Sequence, residues 1–511
     1  MRKTLQRLPW LELSILLVAT LLRVWAIELK PPHFDEGVNG WFSDRMRETG
    51  YYAYDPTNYH GPLHFYLVFA GQMLFGRELW ALRMPAIIAS IGCVWIMFRF
   101  SRFFGKNTVA WAAAAMAVSP AYVFFGRYSI HESGMVFFLM MTVWGVLELW
   151  RSGSKLGLFA VVAGLSGMIL TKETVVIHVG CLVLAAGALW LWDRVIPSMP
   201  AMPIARRRWE PRDAAIAAAI GIACILTFYS GFFHDWSLVR GIATTVSAWF
   251  ATGVVDGGHA KEAYDFGPLN FYWVALMARY EWPALAGLAM CFRLIWPSPA
   301  QLRYLAIYAA GALLAYSIIT YKTPWCIIVM LWPFLILLGA GVEELRRWRP
   351  AFTFVAPIAA GAAIAVSLLP CLWLNFRSHS DPKELYVYVQ TFPEIRAFTD
   401  PLLKAAQKDP RNYEMIGQLM LDSYYPLPWM LGDFTRVGYY KEDNWPDRLD
   451  GTFIAAEESK AERVEALLQG IYIRVPFRLR DGQEDCVAWL RVDEFEGLAE
   501  GEVVDYGTLP R

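Results

Sequence analysis

The strongest constraint in this sequence is a series of long apolar segments that begins near residue 10 and continues to about residue 373. A helix of about 20 apolar residues crosses the hydrocarbon core of a bilayer. The apolar run 156–192 is interpreted as two short spans separated by Thr171, Lys172 and Glu173. About eleven spans result, near residues 10–28, 80–98, 108–126, 133–150, 156–170, 174–192, 214–233, 282–297, 302–320, 325–342 and 351–373. The sequence therefore predicts a polytopic α-helical membrane protein.

The distribution of charge divides the chain into two parts. Hydrophobic residues make up 56% of the chain and charged residues 18%, which excludes a soluble globular protein of ordinary composition. Residues 376–511 nevertheless hold 16 Lys and Arg with 25 Asp and Glu, whereas residues 1–375 hold 30 and 21. This asymmetry predicts a transmembrane domain over 1–375 and a soluble domain over 376–511. The absence of a basic stripe argues against a nucleic-acid partner.

The acidic tail alternates short helical and strand-like patterns, which is typical of a small α/β domain. The pieces lie at 395–407, 413–419, 436–440, 452–455, 457–468 and 471–475. No glycine-rich phosphate loop or nucleophile-elbow motif occurs among them. The tail therefore carries no chemistry that the sequence identifies.

Lysine and arginine in the short loops predict the orientation in the membrane. With the N-terminus in the cytoplasm, the basic clusters at 2–7, 99–106, 151–155, 194–212 and 346–349 all fall on that side. The other side receives the loops 29–79, 127–132, 171–173, 234–281 and 321–324 and the tail. This arrangement requires residues 62–76 to lie along the membrane surface as a helix that begins at Pro62. The first span lacks a small-residue cleavage site before Pro31 and is expected to be retained.

Two adjacent carboxylates directly after the first span are the sharpest chemical signal. Asp35 and Glu36 follow Pro31, Pro32 and His33, at the height of the membrane interface. One carboxylate of such a pair can take a proton from a hydroxyl group, while the other orients the site or holds a cation. The alternative is a pair of solvated loop acids beside a helix end.

Several other ionisable residues fall on the same side of the membrane, and each has a structural alternative. Glu132 could join the Asp35–Glu36 site or simply favour a helix N-terminus. Lys172 could bind a lipid phosphate or pair with Glu173. Lys322 could bind the donor phosphate, or its side chain could extend to the membrane interface beside Trp325. Arg83 could pair with an acid of the outer loops, and His60 and His131 could be ligands or structural histidines.

These motifs, in this order, resemble the GT-C-fold integral membrane glycosyltransferases of the glycosyltransferase family 39 type, which include protein O-mannosyltransferases and lipid A aminoarabinose transferases. The motifs are Asp35-Glu36, His60-Gly61-Pro62-Leu63, Leu82-Arg83-Met84-Pro85, Ser119-Pro120, Glu132, Lys172-Glu173 and Lys322-Thr323-Pro324-Trp325. The segments Tyr59-His60-Gly61-Pro62, Arg127-Tyr128-Ser129-Ile130-His131-Glu132 and Tyr425-Pro426-Leu427-Pro428-Trp429 look closest to the subfamily labelled flippase-activity-associated. Two departures are His60-Gly61-Pro62 where relatives often have Lys-Pro-Pro, and Glu132 where an Asp is common.

The resemblance implies transfer of a sugar from a polyprenyl-phosphate-linked donor to a glycan, lipid or protein acceptor, outside the cytoplasm and with inversion. It implies a bacterial inner or plasma membrane location. Asp35 would be the base. Glu36, Glu132, His60 and His131 would orient the site or bind a divalent cation. The donor phosphate would be stabilised by cations, namely Arg83, Arg127, Lys172 and Lys322.

The loop 234–281 adds a further candidate element and leaves alternatives open. Residues 236–250 are predicted to form a surface helix, and the glycine-rich stretch 253–258 could hinge a lid that brings His259 and Lys261 to the site. The alternative is an interfacial helix with a linker. Two other function classes compete, a flippase of lipid-linked sugars and a non-catalytic assembly partner. Against transport, the ionisable residues gather at one face rather than at mid-span.

Overall fold

The chain forms two compact units of different character. The computed structural model describes residues 10–58, 60–198, 206–245, 247, 271–296, 298–319, 322–441, 444–446 and 448–507. The first unit comprises Met1–Ile27, Thr49–His379 and Glu384–Tyr386, and the second comprises Glu28–Glu48, Ser380–Lys383 and Val387–Arg511. The segment 28–48 thus groups with the C-terminal part of the chain, whereas the charge pattern assigned it to the transmembrane domain.

The first unit is helical. Its α-helices are Trp10–Val24, Leu63–Phe75, Leu79–Arg99, Ser101–Phe104, Lys106–Val118, Pro120–Gly126, Glu132–Ser152, Lys155–Thr171, Val175–Trp192, Pro211–Tyr229, Tyr272–Tyr280, Trp282–Leu294, Ala300–Ile318, Ile327–Trp348 and Phe352–Phe376. Short 3₁₀ helices lie at Pro56–Asn58, Trp236–Arg240 and Pro324–Cys326. Each apolar segment identified in the sequence coincides with one of these helices or with a broken pair of them. The predicted helical membrane architecture is confirmed.

The number of helices that could span a bilayer by length and composition is smaller than the predicted number of spans. Within the described ranges six helices qualify, or seven if Lys106–Val118 and Pro120–Gly126, which meet at a bend of 55°, form one span. Other predicted spans lie on helices such as Lys155–Thr171 and Trp282–Leu294, which are apolar but shorter. The break at Ser119-Pro120 has a local cause, because proline cannot continue the hydrogen-bond ladder of the preceding helix.

The helices differ in how they are buried, and this difference follows from their side chains. In Ile327–Trp348 every residue from 327 to 342 is buried, which fits a helix that is apolar on all sides and lies in the interior. Phe352–Phe376 is equally apolar but mostly exposed, with Phe354 at 75% and Ile358 at 69% exposure. Large apolar side chains on an outer surface require a lipid environment. The first unit therefore has the surface of an integral membrane protein.

The second unit contains a six-stranded mixed sheet. Its strands are β1 (Ile416–Met420), β2 (Arg436–Tyr439), β3 (Phe453–Glu457), β4 (Ile471–Arg478), β5 (Asp485–Arg491) and β6 (Glu502–Asp505), in the order β2-β1-β3-β5-β4-β6. β1 is parallel to β2 and β3, and the remaining pairs are antiparallel. The helices of this unit are Phe34–Thr49, Ile395–Lys408, Leu427–Met430, Ala461–Glu465 and Val492–Phe495, with 3₁₀ helices at Pro410–Glu414 and Glu458–Lys460.

The sheet is covered on both faces. Helix Ile395–Lys408 buries Ile395, Phe398 and Leu402, spaced three and four residues apart, in one apolar cluster with the sheet. A second cluster contains Val464 and Trp489. The α/β character predicted for the tail is confirmed, although strands β5 and β6 have no counterpart among the predicted pieces.

Candidate active site

A buried ion pair lies where the apolar run 156–192 is broken. Helix Lys155–Thr171 ends at Thr171, and Val175–Trp192 begins after a turn that contains Lys172 and Glu173. The Lys172 ammonium donates to the Glu132 carboxylate, and both side chains are less than a tenth exposed. Burial lowers the pKa of Lys172, but attraction to Glu132 and Glu173 outweighs this effect and raises the pKa above its ordinary value. Lys172 therefore remains a fixed positive charge.

Three histidine rings pack beside this ion pair. The ring centroid of His131 lies 4.4 Å from that of His60 and 4.5 Å from that of His64. His60 Nδ1 is 3.0 Å from a carboxylate oxygen of Glu173, and His64 Nε2 is 3.2 Å from the hydroxyl of Ser129. Burial and the neighbouring His60 hold the pKa of His131 well below its ordinary value. His131 is therefore a neutral imidazole.

The predicted metal role of His60 and His131 stays a prediction. Their rings are tilted by 42° to each other, and the carboxylate next to His60 belongs to Glu173. In the part of the chain that the structure describes, no three His, Cys, Asp or Glu side chains are placed so that they could hold a metal ion. We therefore derive no step from a bound cation.

The backbone at Gly61 holds the two loops of this cluster together. Its N–H donates to the carbonyl of Thr171 at 3.1 Å. A Cβ atom at Gly61 would lie 2.3 Å from the carbonyl carbon and oxygen of Leu170, too close for any real side chain. Glycine thus permits the approach that brings His60 to Glu173.

Replacement of Gly61 by alanine is expected to separate these loops and to lower the free energy of unfolding by about 1–3 kcal/mol, since the obstructing atoms are backbone. Thermal unfolding of the purified variant in detergent measures this loss. Gly180→Ala is the control, because a Cβ there meets no atom within 4 Å. Equal melting temperatures for the two variants would contradict the close approach.

The other predicted phosphate cations are engaged with carbonyl groups at helix ends. Arg127 donates to the carbonyls of Trp25 and Ala26 at 2.6 and 2.7 Å. Arg83 donates to that of Ile27 at 2.5 Å. The Lys322 ammonium donates to the carbonyls of Tyr316, Ser317 and Ile319, which uses its three N–H groups.

Carbonyls in the last turn of a helix have no partner within the helix, and cations commonly satisfy them. Arg127 and Arg83 meet the chain just after helix Trp10–Val24, and Lys322 meets the end of Ala300–Ile318. These contacts account for the burial of the three cations without a phosphate. We leave Arg83, Arg127 and Lys322 out of the proposed phosphate site.

Asp35 and Glu36 lie in the second unit, in the first turn of helix Phe34–Thr49, and have different surroundings. Glu36 is fully buried, and its carboxylate accepts a hydrogen bond from the backbone N–H of His33 at 2.8 Å. This is the return half of a capping box, which fixes the start of the helix. Asp35 keeps 38% of its side chain exposed and has the His33 ring 3.8 Å away. Asp35 is thus the carboxylate of the pair that can meet another molecule.

An apolar groove lies next to the histidine cluster in the first unit. It has a volume of about 310 Å³ and lies between helices Leu63–Phe75, Leu79–Arg99 and Glu132–Ser152. Apolar side chains form most of its wall, including Leu67, Ala89 and Phe137. Its polar end contains His64 and Thr171, the residue before Lys172. The polar end of the groove thus lies one residue before Lys172 in the chain.

The structure brings together some of the predicted site residues and adds others. His60, His131, Glu132 and Lys172 form one cluster, with His64 and Glu173 as members that we had not assigned to the site. His64 lies in the first turn of helix Leu63–Phe75, whereas His60 precedes that helix, so helical spacing does not link the two. His259 and Lys261 lie outside the described residues. The predicted surface helix 236–250 begins as the 3₁₀ helix Trp236–Arg240, and its end is also outside them.

Part of the chain is similar to the sequences of known and putative glycosyltransferases. Residues 59–202 match the family model described as dolichyl-phosphate-mannose-protein mannosyltransferase. The chain is also 24% identical over 168 residues to the Bacillus subtilis (strain 168) protein named "Putative mannosyltransferase YkcB". That alignment covers 31% of this chain and 23% of the relative. Both matches fall on part of the chain, and the family match includes the histidine cluster and the Glu132–Lys172 pair.

Comparison of structures extends the similarity to almost the whole chain. The crystal structure of ArnT from Cupriavidus metallidurans in the apo state superposes with a TM-score of 0.61 and 16% identity. The crystal structure of the same protein bound to undecaprenyl phosphate superposes with a TM-score of 0.63 and 14% sequence identity. Each alignment covers 96% of this chain and 99% of ArnT. The GT-C fold and the resemblance to GT-C glycosyltransferases are confirmed, while the flippase-associated subfamily stays a prediction.

Proposed function

We propose that this protein transfers a sugar from a polyprenyl-phosphate-linked donor to an acceptor hydroxyl on the extracytoplasmic face of the membrane. The observation that carries the proposal is the apolar groove whose polar end, at His64 and Thr171, lies one residue before the buried, charged Lys172. An amphipathic donor needs this combination, because its chain is apolar and its linkage to the sugar is an anionic phosphate. The relative with bound undecaprenyl phosphate has the same fold and supports this class of donor.

The groove suits the lipid part of the donor. Its lining is almost entirely apolar, and each methylene removed from water contributes about 0.8 kcal/mol. Lys172 is assigned to the phosphate. When the glycosidic bond breaks, the leaving phosphate gains negative charge, and a cation already held in place stabilises that charge without reorganisation. Glu132 keeps the ammonium oriented and ionised until the donor arrives.

Asp35 is assigned as the base for the acceptor. Its carboxylate takes the proton of the acceptor hydroxyl while the oxygen forms a bond to the anomeric carbon. The bond between that carbon and the phosphate oxygen breaks, and polyprenyl phosphate leaves with the electron pair. Attack from the side opposite to the leaving group inverts the anomeric configuration. Glu36 has a supporting role, since its carboxylate is occupied by the backbone N–H of His33.

A large side chain in the groove should weaken binding of long-chain donors. Ala89→Trp is expected to raise KM for an undecaprenyl-phosphate sugar about tenfold, a loss of about 1.4 kcal/mol, with kcat little changed. Ala186→Trp is the control, because it adds the same indole to an exposed position of helix Val175–Trp192. Steady-state kinetics in micelles measure both. An unchanged KM in Ala89→Trp would remove the groove from donor binding.

The proposed function is tested with the purified full-length protein in detergent micelles, where no second compartment exists. The donor is undecaprenyl-phosphate-[¹⁴C]mannose, and the acceptor is a solubilised envelope extract from a strain that lacks the gene. We expect the label to leave the donor lipid and unlabelled undecaprenyl phosphate to appear. In parallel, liposomes measure translocation of the intact donor. Translocation without transfer in micelles, also with other sugars on the same lipid, would overturn the proposal.

A further inference from the structure

The segment that carries Asp35 is held by the C-terminal part of the chain within the second compact unit. The ring nitrogen Nε2 of His33 lies 2.8 Å from the carbonyl of Tyr388. The side-chain amide of Gln390 donates to the carbonyl of Pro31 at 3.1 Å. Both contacts bridge more than 350 residues of sequence. The turn before Asp35 therefore takes its shape from the C-terminal domain.

Helix Phe34–Thr49, which carries Asp35 in its first turn, also packs closely against the C-terminal domain. A Cβ atom at Gly37 would lie 2.4 Å from the Cα of Pro426, and one at Gly40 would lie 2.3 Å from the Trp429 ring. Glycine at both positions lets the helix approach the segment 425–429 this closely. The aromatic rings of Phe34 and Tyr425 also make an edge-to-face contact here, with their centroids 5.5 Å apart.

Arg480, just after strand β4, connects that segment to the residues around Asp35. Its guanidinium donates to the carbonyl of Tyr425 at 2.8 Å and to the backbone and hydroxyl oxygens of Ser423. The same group lies 4.6 Å from the centroid of the Phe34 ring. Arg480 is 4% exposed, so water cannot solvate its guanidinium charge, and protein groups must do so instead. Burial lowers the pKa of Arg480 to about 10, and the attraction of Asp35 opposes this decrease.

We propose that Arg480 is a positioning residue for Asp35, because its planar guanidinium binds the 423–425 segment and covers the ring of Phe34, the residue directly before Asp35. This inference rests on the proposed role of Asp35 as base. The contacts with the 423–425 segment and with the Phe34 ring use different parts of one rigid group, so they fix its position before the acceptor arrives. Misplacement of a reacting group by about 1 Å costs about 100-fold in rate, which gives such a residue a large effect on turnover.

The experiment compares Arg480→Gln with Arg478→Gln in the full-length protein. Arg478 is a matched control, since it also contacts a carboxylate and a ring, those of Glu394 and Phe392, but is half exposed. For Arg480→Gln we expect kcat per folded molecule to fall about 10- to 100-fold with KM for the donor unchanged. Arg480→Lys, which keeps the charge, should recover part of this loss. Arg478→Gln should remain near the wild-type kcat.

A second variant covers the case in which Arg480→Gln does not fold. Phe34→Leu removes the ring under the guanidinium at a partly exposed position and should lower kcat several-fold, again without a change in KM. Normal kcat per folded molecule in Arg480→Gln, or in Phe34→Leu if the first variant is unfolded, would overturn the assignment. If Asp35→Asn is inactive at the same time, the proposed function stands and only the role of Arg480 is lost. An active Asp35→Asn would instead refute the base itself.

Discussion

Replacing Asp35 with asparagine is expected to reduce sugar transfer by about 10³-fold while the protein still folds, because general base catalysis contributes about 10²- to 10⁴-fold. Asparagine has the same shape but cannot accept the acceptor proton. Asp35 is more than a third exposed, and its carboxylate is 3.8 Å from the His33 ring, beyond hydrogen-bond distance, so the substitution should leave the melting temperature in detergent within about 1 °C of wild type. Initial rates with a radiolabelled polyprenyl-phosphate sugar measure the loss.

Glu48→Gln provides the control for this substitution. Glu48 lies on the same helix, Phe34–Thr49, and forms an exposed ion pair with Arg45 at 2.7 Å. Exposed pairs contribute little to stability, so this variant should retain both its fold and its transfer rate. Transfer by Asp35→Asn at a rate close to that of Glu48→Gln would rule out Asp35 as the base.

Removing one member of the Glu132–Lys172 pair is expected to lower the free energy of unfolding by about 3–5 kcal/mol and to abolish transfer. Lys172→Met leaves the Glu132 carboxylate buried without its cation, and that desolvated charge is the source of the loss. The double variant Glu132→Gln and Lys172→Met buries no uncompensated charge from the pair. It should recover most of the stability but remain inactive, because the phosphate has lost its cation.

Thermal unfolding and transfer rate, measured on the same preparations, separate the two effects. Lys155→Met is the matched control in the same unit, since the Lys155 side chain is half exposed and pairs with Asp213 at 3.0 Å. That change should cost less than about 1 kcal/mol and leave transfer intact. A double variant that regained both stability and transfer would mean that the pair has a purely structural role.

The positions of the helices could be predicted because they depend on local composition. A run of apolar residues long enough to cross a bilayer forms a helix whatever its neighbours are, since its backbone groups have no other partners. The α/β tail was recognised for a similar reason, from alternating patterns. Strand β6 could not be predicted, because Glu502–Asp505 is short and mostly exposed and has no alternating apolar pattern. It is an edge strand that forms by pairing with β4. β5 was missed although it lies between β3 and β4.

The pairing of charges could not be predicted, because it depends on how distant segments meet. Adjacency in sequence suggested Glu173 as the partner of Lys172, yet Lys172 pairs with Glu132, 40 residues away, and Glu173 contacts His60. The packing of helix Glu132–Ser152 beside Lys155–Thr171 brings these groups together. Local spacing also could not indicate that Arg127 and Lys322 satisfy carbonyls at helix ends, because open helix ends can accept a cation from any nearby loop.

The acids of the 31–37 segment illustrate the same limit. Both could be identified as candidates, since two adjacent carboxylates follow the first apolar span. The different roles proposed for them rest on the capping contact of Glu36 with His33 and on Arg480, which lies 445 positions after Asp35 in the sequence. No pattern near residue 480 indicates a connection to Asp35.

The anomeric configuration of the product tests the central claim most directly. The account holds that an acceptor oxygen, deprotonated by Asp35, displaces the lipid phosphate in one step. NMR of the product formed by the purified wild-type protein from a donor of defined anomeric configuration measures the outcome. The account predicts inversion at the anomeric carbon. Retention would require a covalent sugar–enzyme intermediate or a second displacement and would contradict it.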